Sequence, residues 1–395
     1  ALLAWPRTDP CGATTRQLDG IWDAPRRSAL EARFAAATVS HADDSRERVG
    51  AALDGWSSAW TAQHEGLCRD EQRGRVSDDE AEARGRCLLR QRAQVRSLVE
   101  ALSDPDAALD PADAVRAATA LPRAEACADV DTLLGFAPPP PSNPGSEVAV
   151  EALRRDIDEA TGLRLLGRFE PGLALIEDAH ARAQSLGYAP VLAEAKAELA
   201  SYELTRGARS RGHALYQDAV DLAEASRHDV LAATLWTTMA MRAASEFADA
   251  ERSTADLRRA TAAWTRVPPP IEERAQLGYV RALVADLQGQ LREAEAELRE
   301  AIALVADGGS TELPAMHLDL AKILYRRDPQ LAWPVFDAAI ATSARIWGPR
   351  HPETARYRHH YGLSLRDAGL RDAAARELEA AATIWSGAFE APHPP

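Results

Sequence analysis

The chain has 395 residues, 46% of them hydrophobic and 27% charged, which marks ordinary globular material in two or three units rather than a disordered tail. Its formal net charge of −14 argues against a nucleic-acid partner, because phosphate binding needs a basic face. No run reaches the roughly 18 apolar residues of a membrane span, and no basic segment precedes an apolar core as in a signal peptide.

Strand signals are nearly absent, whereas helical periodicity is nearly continuous and rich in Ala, Leu, Arg and Glu. The stretch Ala1-Leu2-Leu3-Ala4-Trp5-Pro6 reads as an ordinary apolar N-terminus. The other reading is the frayed end of something apolar removed upstream, with Trp5 near a membrane–water boundary. Helices are predicted over 26–38, 42–73, 78–102 and 111–120. Asp78 and Asp79 are expected to cap the third. Asp110-Pro111 opens the fourth, with proline at the first helical position. Trp56 and Trp60, four apart on the second helix, read as core.

All four cysteines fall in this first part: Cys11, Cys68, Cys87 and Cys127. None has the close C-x-x-C spacing of a zinc or redox site. Two disulfides would imply an oxidising compartment; the alternative is four buried thiols in a cytosolic protein. Among the three connectivities, a hairpin of the second and third helices favours Cys68 with Cys87. Cys11 would then pair with Cys127, a long closure worth roughly 4–5 kcal/mol in the chain-entropy account.

Residues 1–136 are thus expected to form a Cys-containing helical domain. The Pro-rich stretch 137–146 reads as a stiff, extended linker. A repeat follows over 147–386, and 387–395 reads as a tail. Gly167, Gly207, Gly289 and Gly369 recur at about 40 residues or twice that. After each comes a small residue (Gly172, Gly212, Ala294, Ala374), then a large one (Ile176, Tyr216, Leu298, Leu378), then Ala179, Ala219, Ala301 or Ala381. Before each glycine stands another small residue, Ala160, Ala200, Ala282 or Gly362. Small side chains let antiparallel helices approach, the large one fills the space beside them, and the glycine relieves the turn. Trp236, Ala240, Phe247 and Ala250 make a degenerate copy. Leu320, Ala321, Ala332, Phe336 and Ala339 make one that is a residue short. The expected fold is all-α, with about six helix pairs stacked as a right-handed superhelix with a concave face.

The segment Trp347-Gly348-Pro349-Arg350-His351-Pro352-Glu353-Thr354-Ala355, with Tyr361-Gly362-Leu363 after it, resembles the kinesin-light-chain-like subtype of the tetratricopeptide repeat. Cys11 with Leu18-Asp19-Gly20-Ile21-Trp22-Asp23, then Trp56, Trp60, Cys68, Cys87 and Leu121-Pro122-Arg123-Ala124-Glu125-Ala126-Cys127, resembles the segment just outside the membrane in large bacterial serine/threonine kinases. That resemblance implies an extracytoplasmic sensor or scaffold region and strengthens the disulfide reading. The chain departs from it in having no kinase among these residues. A free-standing periplasmic or secreted scaffold, and a cytosolic one, are the alternatives.

The sequence holds no Gly-rich phosphate loop before a Lys-bearing strand, no H-R-D or D-F-G, no Walker A, no G-x-S-x-G and no H-E-x-x-H. His359-His360, adjacent on a helix, point about 100° apart and suit no shared metal. No catalytic role, cofactor or metal is therefore expected; the expected partner is a protein or peptide. The inward positions of the first helices include Arg154, Arg164, Tyr279, Lys322, Tyr325, Arg326, Arg356, His359 and Arg366. The basic set from Lys322 to Arg366 stands out in an acidic chain and suits an acidic peptide or a C-terminal carboxylate.

Overall fold

The computed structural model describes residue 11 and residues 17–136, 138–141, 143, 145–306 and 310–388. The apolar stretch 1–6 and residues 389–395 lie outside the described residues. The described residues form seventeen α-helices and one 3-10 turn, with no strand among them.

The first part contains α1 (Ala24–Ala35), α2 (Ala42–Gln72), α3 (Asp78–Ser103), α4 (Pro111–Thr119), the 3-10 turn Ala124–Ala128 and α5 (Val130–Gly135). Asp110 caps α4 as expected, accepting from Ala112 N at 2.7 Å, with Pro111 at the first helical position. The cap of α3 is Ser77, whose hydroxyl accepts from Glu80 N at 3.2 Å. Asp78 and Asp79 lie in the first turn instead, where a carboxylate still favours the helix dipole. Trp60 is fully buried and donates its indole N–H to Leu88 O at 2.9 Å, with Trp56 stacked on it.

The disulfides join Cys11 to Cys68 and Cys87 to Cys127, with Cα separations of 5.7 and 5.5 Å. This corrects the expected pairing of Cys68 with Cys87 and Cys11 with Cys127. Cys68 lies four residues before the end of α2, whereas Cys87 lies nine after the start of α3. At about 1.5 Å per residue the two sit at different heights along the hairpin. After α4 the chain instead folds back over α3, where Gln91 donates Nε2 to Arg123 O at 3.0 Å and Cys127 reaches Cys87.

The second part is a stack of six antiparallel helix pairs. The pairs are α6 (Ser146–Leu165) with α7 (Phe169–Leu186), α8 (Ala189–Thr205) with α9 (Arg209–Ala225), and α10 (Asp229–Ser245) with α11 (Ala250–Trp264). After these come α12 (Ile271–Leu287) with α13 (Leu291–Val305), α14 (Leu313–Arg327) with α15 (Pro329–Ile346), and α16 (Pro352–Asp367) with α17 (Arg371–Ala388). The four aligned glycines occupy the turns within pairs, with φ between +70° and +86°. The small residues lie where helices touch. A Cβ on Gly172 would stand 1.8 Å from Tyr202 Oη, which donates to Ala160 O at 2.5 Å. Gly172→Ala must displace that tyrosine, and an unfolding free energy lowered by about 1–3 kcal/mol is expected in denaturant titration.

In the degenerate third pair the turn position is Ala248, exposed and at φ +49°. A left-handed conformation costs a non-glycine residue about 1 kcal/mol. Ala248→Gly is therefore expected to raise stability by up to about 1 kcal/mol in the same titration, since no packing is lost. The short fifth pair turns differently: Asp328 is extended (φ −156°), accepts from Gln330 N at 2.9 Å, and is followed by Pro329 at the first helical position.

The two parts share one core. Leu166 at the end of α6, and Ile346 and Trp347 at the end of α15, are buried together with Leu30, Phe34, Leu53 and Trp60 of the first part. The first part thus touches both ends of the stack. Phe136, at the end of the first part, packs beside the core of α8–α12, and Tyr188 Oη donates to Pro139 O at 2.8 Å.

Candidate interaction groove

The first helices of successive pairs are linked by side chains at the repeat interval, which puts those side chains on one face. Arg154 of α6 meets Glu194 of α8 at 2.9 Å. Tyr279 Oη of α12 donates to Asp319 of α14 at 2.7 Å, and Arg326 of α14 pairs with Asp286 of α12. Such a row is the candidate surface for a partner.

The candidate surface divides into two stretches. Over the first pairs its charged side chains are taken up by partners within the protein. Arg90 of α3 reaches Asp158 of α6 with two hydrogen bonds of 2.8 and 2.9 Å. Beside them Arg154 holds Glu194, which also meets His228 Nε2 at 3.1 Å. Burial opposes the Glu194 charge, but the His228 hydrogen bond and the Arg154 and Arg90 charges hold its carboxyl down at about 2. Arg164 binds Glu198 through Nε at 2.8 Å. Here burial wins: with chiefly Arg164 and Thr161 to oppose it, the Glu198 carboxyl is raised. Arg154 and Arg164 are thus both engaged in partly buried ion pairs.

The second stretch, on α14 and α16, is more open. Lys322 Nζ lies 3.0 Å from Asp319, Arg356 lies 2.9 Å from Glu353 and stacks on Tyr357, and Arg366 lies 3.0 Å from Asp367. Tyr325 leans on Trp333, and His359 on Trp385. Burial, then Lys322, Arg356 and His359, hold the neighbouring His360 imidazole down at about 4, so it is neutral at physiological pH. Tyr279 is buried at the back of this stretch, its hydroxyl raised by burial and by Asp319.

The structure therefore brings Lys322, Tyr325, Arg326, Arg356, His359 and Arg366 onto two neighbouring helices, with Tyr279 behind them, and leaves Arg154 and Arg164 at the other end on α6. The sequence reading overlooked Asp319 and Arg90. Asp319 was open to discovery, since it stands one repeat after Tyr279. Arg90 was not, because it enters from outside the repeat. Among the described residues no group of three or more His, Cys, Asp or Glu is placed to hold a metal ion. No helix among them is long and apolar enough to cross a membrane.

No protein-family model matches the chain, and no curated protein matches it. Among solved structures it is similar to BtubC from P. vanneervenii, at 17% identity and a TM-score of 0.44, over 64% of this chain and 96% of that one. A putative kinesin light chain from Podosopora anserina with nearly identical TPR-like repeats aligns at 17% identity and a TM-score of 0.30, over 61% of this chain and 98% of that one. A signal-transduction ATPase with numerous domains and a tetratricopeptide repeat sensor, from Pyrococcus horikoshii, aligns at 11% identity and a TM-score of 0.48. That alignment covers 98% of this chain and 54% of the other.

Proposed function

We propose that this chain is a protein–protein recognition region working outside the cytoplasm, as the sensor or scaffold part of a membrane-anchored bacterial serine/threonine kinase. Its ligand is an acidic peptide or protein segment bound along α14 and α16. The observation that carries the recognition role is the row of first helices, whose side chains face one another across the repeats and offer a surface rather than a closed catalytic pocket. The two disulfides support the compartment, since such bonds persist where the surroundings are oxidising.

The basic residues of this stretch already have carboxylate partners, yet several of these pairs stand half open to solvent: Lys322 and Arg326 keep 46% and 45% of their side chains exposed. Exposed pairs of this kind contribute only about 0–1 kcal/mol, so exchange for a ligand carboxylate costs little. Arg forks and the Tyr325 ring then supply geometry as well as charge. Arg154 and Arg164 serve a different purpose in this proposal, holding the first pairs together.

The test is binding of the oxidised chain to acidic and basic peptide arrays at two salt concentrations. Acidic peptides should be retained and weakened by salt. The Lys322→Glu/Arg326→Glu/Arg356→Glu variant should lose them by tenfold or more while keeping its helical signal. Equal retention by that variant would place recognition elsewhere.

A further inference from the structure

The segment from Trp347 to Pro352 lies outside the groove; it sits where the two ends of the fold meet. Ser40 N, just before α2, donates to Gly387 O of α17 at 2.9 Å, and Arg48 Nη1 of α2 donates to Arg345 O at 2.5 Å. Between these contacts lie His41, before the first residue of α2, and His351, the cap of α16. Each is only 1% exposed, and their ring centroids are 6.0 Å apart, edge to face. Trp347 stacks on the other side of His351.

The hydrogen bonds assign the state of His351. Its Nδ1 accepts from Glu353 N at 3.1 Å, so Nδ1 carries no proton, and its Nε2 faces Ala112 O of α4 at 3.3 Å. That ring is neutral. A second proton on Nδ1 would set one N–H against another and undo the cap of α16. Neither nitrogen of His41 has a hydrogen-bond partner. A proton there would leave a buried charge with no acceptor to receive it.

We infer that His41 and His351 form an acid-released latch, which holds the first helical region on the last helix pairs while both imidazoles are neutral and lets go when they are protonated. The charged groups around the latch offer an imidazolium little relief. Asp44 of α2 is taken by Arg48 at 3.1 Å. Asp110, before α4, caps that helix. Glu353 of α16 is taken by Arg356 at 2.9 Å. Arg350 of the loop and Arg116 of α4 repel a positive ring.

The sign follows from burial. In the closed junction burial, opposed by the Ala112 hydrogen bond and assisted by the His41 charge, holds His351 down at about 4, and burial lowers His41 as well. Released imidazoles return to about 6.5. The closed form is therefore fully favoured above about pH 6.5 and loses that advantage as pH falls toward about 4. From His351 alone the closing equilibrium should drop by roughly two powers of ten between about pH 7.5 and about pH 4.5.

Hydrogen exchange on the oxidised whole chain tests this, with rates corrected for the intrinsic effect of pH. On acidification, amides of 39–48 and 345–353 should lose protection by about a hundredfold, while those of α8–α13 keep theirs. The variant His41→Phe/His351→Asn, in which Asn retains a capping oxygen, should stay closed over the same range. Unchanged protection in the wild-type chain would overturn the latch. So would a variant that opens in step with the wild type, because carboxylates would then be responsible. If the variant does not fold at neutral pH, histidine-labelled wild-type chain titrated by NMR decides instead. The resonances of His41 and His351, assigned with the single-histidine variants, should resist protonation until the junction opens, and ordinary titration of these two near about 6.5 with the junction closed would overturn the latch.

Discussion

Replacing Cys87 and Cys127 by serine is expected to lower the stability of the oxidised chain by about 4 kcal/mol, the chain-entropy value for the 40-residue separation that this bond closes. The effect is large because of what the bond ties down. Cys127 is almost fully buried in the core shared by the first helices and the ends of the stack, and the 3-10 turn around it has only five residues of its own. Released, that turn keeps few hydrogen bonds of its own to resist unfolding. Denaturant titration with and without reductant measures the loss, and the double variant should become insensitive to that bond's reduction. Peptide mapping without reductant should recover Cys11 linked to Cys68 and Cys87 linked to Cys127. A peptide linking Cys68 to Cys87 would overturn this arrangement of the first region.

Glu194→Ala is expected to cost about 3 kcal/mol, the usual penalty for leaving a buried ion without its partner. Its carboxylate is 11% exposed and neutralises Arg154, itself only 19% exposed, while meeting His228 as well. Glu194→Gln should cost less, since an amide oxygen still accepts from Arg154. The same carboxylate has a pH signature. Its folded-state value is held at about 2, below the ordinary 4.5, so its contribution is complete above about pH 4.5 and is lost as pH falls toward about 2. The wild-type chain should weaken across that acid window, and Glu194→Ala should show a shallower fall there. A double-mutant cycle with Arg154→Ala should return a coupling of 1 kcal/mol or more. A coupling near zero would mean that Glu194 is held by His228 and Arg90 alone.

Much of the repeat was legible in the chain because its signals are local. The glycines at 167, 207, 289 and 369 must be where the backbone turns left-handed. The small residues must be where helices touch, so a period of about 40 translates directly into pairs. Helix bounds in the first part were nearly as readable, from Asp110-Pro111, although the cap of α3 fell one residue earlier than expected, on Ser77. The failures have a common cause. Cysteine pairing depended on how α3 and the 3-10 turn cross, and no spacing encodes a crossing. The groove positions could be counted from the repeat, yet their partners could not: Arg90 meets Asp158 from a helix outside the repeat.

Sequence alone determined that this chain is rich in helix, that its second part is a run of helix pairs, and that the basic positions counted on its first helices fall mainly in the last two pairs. Each of these follows from interactions between residues within one turn of helix or one repeat of one another. Only the tertiary structure decided which cysteines meet, that Arg90 comes to lie against Asp158, and that His41 comes to lie against His351. Those outcomes depend on contacts between residues tens to hundreds of positions apart, set by the burial of one shared core rather than by any local pattern.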